Sequence, residues 1–328
     1  MKKIIYTLLS VTAFFFIAGC EGPAGLDGQD GENGIDGKDG ASGTTICVTC
    51  HNTGTMDTVE MQWEESVHGI GATVARSSSN SCAMCHSHEG FLETQHTGRD
   101  TTAMGIAIPT AIQCNTCHSF HESLDFENDG PDYALRTTAP VSLIVDKTVV
   151  ADVGGSGNLC INCHQPRTPV PTDDGNGEYT VTSSHWGPHH GPQGTFLIGF
   201  GAYEFGSAYS SSDDHKDIGC AGCHMLGDPT NHTFEPKLEA CTACHTDATS
   251  FDIAGVQTDV EELLSTLHDK LLSEGLIDAD GHPVRGTYSL AKVGALWNYI
   301  AVEEDRSLGV HNPKMIKEML QASIASLP

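Results

Sequence analysis

Six copies of one pentapeptide carry the chemistry of this chain: Cys47–His51, Cys82–His86, Cys114–His118, Cys160–His164, Cys220–His224 and Cys241–His245, each reading Cys-x-x-Cys-His. The paired thiols are Cys47 and Cys50, Cys82 and Cys85, Cys114 and Cys117, Cys160 and Cys163, Cys220 and Cys223, and Cys241 and Cys244. Two thiols three positions apart reach the two vinyl groups on one edge of a porphyrin, and the next histidine then falls beneath the iron as an axial ligand. The pattern therefore predicts six covalently attached haem c groups. Zinc could use CxxC pairs and disulfides could pair twelve thiols, but neither explains a histidine after every second cysteine.

Twelve further histidines remain after these six, enough to give every iron a second imidazole. Two imidazoles would keep the potential low, whereas methionine would raise it. The distal ligands expected are His68, His96, His121, His189, His232 and His311. His121 stands three residues after His118, so the two project to one side of a helical turn and must serve different haems. In Gly187-Pro-His-His-Gly-Pro192, two adjacent imidazoles point differently and only one is a ligand, with His189 chosen over His190. His88, His185 and His215 are substitutes for His96, while His268 and His282 read as surface histidines. The contexts of His68, His232 and His311 resemble distal-ligand segments of multihaem cytochromes.

The elements that must position these ligands are short of ordinary core material. Hydrophobic residues make up 38% and aromatics 6%, against 36 glycines. Roughly 33 residues per motif leave little apolar side-chain volume around each cofactor, so the macrocycles must supply buried surface themselves. The fold class expected is mainly α with much irregular structure and little β, a haem-packed multihaem cytochrome c. Neighbouring rings packed nearly in contact would let electrons hop along the chain.

After residue 250 the cysteines stop and helical periodicity begins. Thr258 and Glu261 read as a capping box, followed by a stripe of Val260, Leu263, Leu264, Leu267 and Leu271 with Gly275 as the stop. A second stripe uses Leu290, Val293, Leu296, Trp297 and Ile300. A third helix starts at Asn312-Pro313 with Met315, Ile316, Met319 and Leu320. These helices cover one side of the haem stack or form an interface between copies of the chain, and His311 would clamp them onto a haem.

At the N-terminus, Lys2 and Lys3 precede an apolar run from Ile4 to Ile17, which reads as an export signal and is too short to span about 30 Å of hydrocarbon comfortably. Ile17-Ala-Gly-Cys20 resembles the lipobox of bacterial lipoproteins, which implies cleavage before Cys20 and lipidation of that residue; Glu21 by the same likeness favours outer-membrane sorting. Glycine then recurs every third residue from Gly22 to Gly43 with many acidic neighbours but only Pro23, so a hydrated tether is expected over a collagen triple helix. The resulting division is 1–19 signal peptide, 20–45 lipidated acidic tether, 46–250 hexahaem domain and 251–328 C-terminal helical region.

A lipid anchor followed by an acidic spacer resembles the start of the OmcA/MtrC-type outer-surface cytochromes of metal-reducing bacteria. The stretch from Cys160 through Ser184-His-Trp-Gly-Pro-His-His-Gly-Pro-Gln193 to Phe205 resembles multihaem cytochromes related to nitrite reductase and hydroxylamine oxidoreductase, and it is where a substrate pocket would be sought. None of the motifs ends in the lysine that ligates the catalytic haem of the main nitrite reductase group. That departure weakens a catalytic role. The expectation is a membrane-anchored electron carrier passing electrons to an extracellular or partner-protein acceptor, with a reductase of a small nitrogen or sulfur oxyanion as the alternative. With 43 acidic against 16 basic side chains the net charge is −27. This argues against nucleic acid and favours positively patched redox proteins, metal ions or minerals as partners.

Overall fold

Thirteen α-helices and four very short strands account for the regular structure of residues 43–328, which the computed structural model describes except at positions 127, 131 and 174. The expected signal peptide, the expected lipidation site Cys20 and the part of the expected tether before residue 43 lie outside the described residues. In chain order the helices are α1 (Gly43–Cys50), α2 (Thr53–Glu65), α3 (Val67–Ile70), α4 (Ala83–His86), α5 (His88–Thr97), α6 (Cys114–Cys117), α7 (Gly157–Ile161), α8 (Gln193–Leu197), α9 (Asp214–His224), α10 (Leu238–Thr242), α11 (Val256–Ser273), α12 (Leu290–Asp305) and α13 (Pro313–Ser326). Up to α10 most are a turn or two long, separated by irregular chain. The mainly α, weakly β architecture expected from the composition is what the molecule has.

Strands β1 (Val141–Ser142) and β2 (Val150–Ala151) pair antiparallel. Strand β3 (Glu178–Val181) pairs antiparallel with β4 (Gly286–Ser289), Tyr179 opposite Tyr288. This second ladder joins the segment after the fourth Cys-x-x-Cys-His motif to the start of α12. Spacing alone gave no sign of it.

Burial is unevenly distributed. The larger apolar cluster is built on the faces of α11, α12 and α13: Val260, Leu267 and Leu271, then Val293, Leu296 and Trp297, then Ile316, Met319 and Leu320, all fully buried. These are the three stripes of the sequence, and packing of amphipathic faces is what stabilises such helices. The second cluster, around Leu143, Ala151 and Ile161, is much smaller. Large apolar side chains left exposed fall mostly among the motif-bearing segments, with Val67 81%, Ile108 85% and Phe120 87% exposed.

Helix ends follow local chemistry, with one correction. Helix α11 begins at Val256, two residues before the expected cap Thr258, because Asp252 reaches forward to accept from Gln257 N (2.8 Å) and Thr258 Oγ1 (2.7 Å). The carboxylate satisfies free amides of the first turn, Gln257 N and Thr258 N, so the helix starts ahead of Thr258. Gly275, with φ +69°, ends the same helix in the left-handed conformation expected of it. Asn312 caps α13, its side chain accepting from Met315 N (3.4 Å), with Pro313 in the first turn.

Candidate haem-ligating site

Each motif is a single helical turn. The histidine amide donates to the carbonyl of the first cysteine over 2.8 Å at His51, 3.2 Å at His86, 2.9 Å at His118 and His164, and 2.8 Å at His245, while the fifth copy closes α9. A helical turn puts residues three apart on one face, so both thiols of a motif project together with the histidine beside them.

Opposite each motif histidine stands one further imidazole. His51 faces His121 (ring centroids 6.1 Å apart), His86 faces His189 (6.2 Å), and His118 faces His232 (6.2 Å). His164 faces His68 (6.1 Å), His224 faces His311 (6.3 Å), and His245 faces His215 (6.4 Å). A metal–imidazole nitrogen bond is about 2 Å and the ring centre lies about 1 Å beyond the nitrogen, so two imidazoles on opposite sides of one metal have centroids about 6 Å apart. All six separations fit that arrangement.

The other ring nitrogen is tied down in most of these histidines. His86 Nδ1 meets Thr73 Oγ1 (2.9 Å), His118 Nδ1 meets Tyr133 O (2.8 Å), His224 Nδ1 meets Phe234 O (2.8 Å), and His232 Nδ1 meets Thr230 O (2.8 Å). His164 Nδ1 lies 3.4 Å from Gln193 Oε1, and His215 Nδ1 lies 2.6 Å from Val310 O. His311 Nδ1 contacts a carboxylate, Asp305 Oδ1, at 2.6 Å. Such bonds fix the tautomer with the proton on Nδ1 and leave Nε2 as a donor to metal. Burial, helped by the neighbouring His164, pushes His68 down to about 4. Burial and the charges of Arg167, His190 and His86 do the same to His189, also to about 4. Both are therefore neutral imidazoles at pH 7, the form that ligates.

Five of the six expected distal histidines, His68, His121, His189, His232 and His311, face a motif histidine. His121 faces His51 and not its neighbour His118, as the three-residue spacing requires. His189, with φ +66°, is the one that faces His86, while the adjacent His190 turns away to bond Glu304. His96 faces none; it is exposed near the C-terminal end of α5, and His215 stands opposite His245 instead. His215 was the harder reading because it opens α9, the same helix that ends in the fifth motif. Gly219 interrupts that helix with φ +69° and ψ 178°, so the two halves aim their histidines at different motifs.

Contacts between motifs are close. The thiols of Cys85 and Cys163 lie near enough to influence one another, as do those of Cys160 and Cys220, which places the second, fourth and fifth copies close together. Phe234 stacks edge-on to His68 (4.7 Å) and lies 5.9 Å from His232, linking the fourth and third pairs.

The donor set fits haem c. Two thiols per motif suit covalent attachment, paired imidazoles suit the iron, and the bare apolar side chains Val67 and Ile70 beside His68, with Phe120 between His118 and His121, suit a macrocycle laid against them. Trp63 Nε1, five residues before His68, is a buried donor without a partner among the described residues.

The stretch where a substrate pocket was sought is filled by packing. Trp186 meets Trp297 edge-on at 5.5 Å, and Trp297 Nε1 donates to Gly201 O (2.9 Å). Asn298, fully buried, accepts from Tyr203 N (2.7 Å) and donates to Tyr203 O (2.9 Å) and Ser323 Oγ (3.0 Å). A cleft of about 260 Å³ lies elsewhere, lined by Met84, Gln95, Arg99, Lys147 and Gln165 among others. One more histidine pair, His185 and His282 at 6.1 Å, has no cysteines beside it; both rings are exposed, and His282 lies near Asp278 and Asp280. The Asp278 Oδ1 atom is occupied by the amides of Asp280 and His282.

No protein family matches the sequence, and no curated protein does. Among solved structures, the chain resembles the crystal structure of an outer cell wall cytochrome, OcwA, with a TM-score of 0.54 and 20% sequence identity over 82% of its own length. It spans about half of that chain (50%). The likeness is one of fold. Among the described residues no helix is long and apolar enough to cross a membrane.

Proposed function

We propose that the chain is a membrane-anchored hexahaem c-type cytochrome that carries electrons to an extracellular or partner-protein acceptor. One observation carries the reading: every one of the six motif histidines is faced by a second imidazole at a spacing that accommodates one metal between them. Haem c supplies a one-electron Fe(III)/Fe(II) couple when bound. The protein's part is to attach, orient and insulate. Cys47, Cys50 and the ten corresponding thiols would hold the macrocycles, and each histidine pair would hold one iron.

The proximity of thiols from neighbouring motifs supports closely spaced centres and hence passage between them. The acidic surface supports docking of positively patched redox proteins, or of metal ions and minerals. An anchor at Cys20 with residues 20–45 as tether would hold the domain at the outer membrane, on its periplasmic or cell-surface face.

Protein matured in a host that attaches haem c tests this. Mass spectrometry should find six added macrocycles, and electron paramagnetic resonance of the oxidised form should find all six irons low-spin. Free or bridged thiols would end the haem reading, and a high-spin fraction would replace the carrier by a catalyst with an open iron.

A further inference from the structure

The six ligand pairs are not electrostatically equal. Where their Nδ1 atoms are hydrogen-bonded, the partners are neutral carbonyls, a hydroxyl and a carboxamide in every case but one. That one is His311, whose Nδ1 meets Asp305 Oδ1 at 2.6 Å. Asp132 also lies near a ligand, His121, but at 3.6 Å, and its oxygens accept the amides of Glu122 (2.6 Å) and Ala134 (2.7 Å). Asp305 has a side chain with no exposure at all, and Ser307 Oγ donates to its other oxygen. No lysine or arginine forms an ion pair with it among the described residues.

A carboxylate sharing the Nδ1 proton makes the imidazole a stronger donor, which favours the ferric over the ferrous state. The buried negative charge acts in the same direction, because reduction adds an electron in a region where water screens poorly. We propose that Asp305 is a positioning residue that holds the centre between His224 and His311 at the lowest reduction potential of the six. This inference rests on the haem reading above.

The test is Asp305→Asn in the full matured chain, followed by spectropotentiometric titration. The amide keeps the shape and an acceptor oxygen but removes the charge. The lowest of the six one-electron steps should rise by about tenfold in its equilibrium constant, or ~59 mV, with the other five unmoved and all irons still low-spin. An unchanged lowest step, or a shift confined to a higher one, would overturn the proposal.

Ser307→Ala gives an independent arm that does not depend on Asp305→Asn folding. Removing the second donor concentrates the charge on His311, so the same step should fall several-fold; a rise or no change counts against the assignment. A wild-type protein lacking six haems would instead defeat the haem reading, before either variant is compared.

Discussion

Removing the imidazoles of His215 and His96 one at a time tests the pairing of histidines directly. His215 lies 6.4 Å from His245 and its Nδ1 is held by the Val310 carbonyl at 2.6 Å, whereas His96 is exposed and touches no ring. Replacing His215 by alanine removes one imidazole from one of six pairs and leaves the Cys241–Cys244 attachment intact. The oxidised variant should show a high-spin signal integrating to about one-sixth of the iron, and the reduced variant should bind about one carbon monoxide per six haems. His96→Ala should show neither. His215→Met should restore six-coordination and raise the potential of that one centre, because a thioether favours the ferrous state. If His96→Ala opened an iron while His215→Ala did not, the geometric rule used for all six pairs would be refuted.

Three further outcomes follow from the packing and the charge. Trp297→Ala removes a fully buried ring between α12 and Trp186 and should cost about 3–5 kcal/mol in a guanidinium titration followed by far-UV circular dichroism; a loss below 1 kcal/mol would mean the cluster repacks freely. Asn298→Leu leaves the Tyr203 amide unpaired in the interior, while the Tyr203 carbonyl still accepts from the Tyr209 hydroxyl, and should destabilise by about 1–3 kcal/mol, measured the same way. With a positively patched electron donor, the second-order reduction rate should fall at least about tenfold between low and high salt, a consequence of the −27 charge that stopped-flow spectroscopy would read; a salt-independent rate would remove electrostatic steering.

Much of this molecule could be read before its structure. The motif histidines follow from covalent chemistry that fixes residue order, and α11 to α13 follow from apolar stripes long enough to declare a period. The distal ligands were legible only in part, because an imidazole finds its partner through the fold. His68 serves a motif histidine 96 positions later, and nothing local says so. His215 was obscured by standing in the same helix as another motif, and its assignment depends on the backbone reversal at Gly219. Asn298 is silent in sequence because it sits between Trp297 and Tyr299, where one polar residue breaks no stripe, and its role appears only once the 201–205 segment is laid against it. Asp305 gave no signal at all in sequence, being one of 43 acidic residues.

The short connector between α12 and α13 reaches two centres at once: it presents His311 to His224 and lends the Val310 carbonyl to His215, which faces His245. A chain emerging in order from its N-terminus therefore carries the fifth attachment sequence well before it carries His311, the imidazole that faces it. With haem attached, that fifth centre would wait for the last 20 or so residues to receive its second imidazole, whereas His215 and His245 of the sixth pair both precede residue 250, so a protein cut short there would leave one iron with a face open to water.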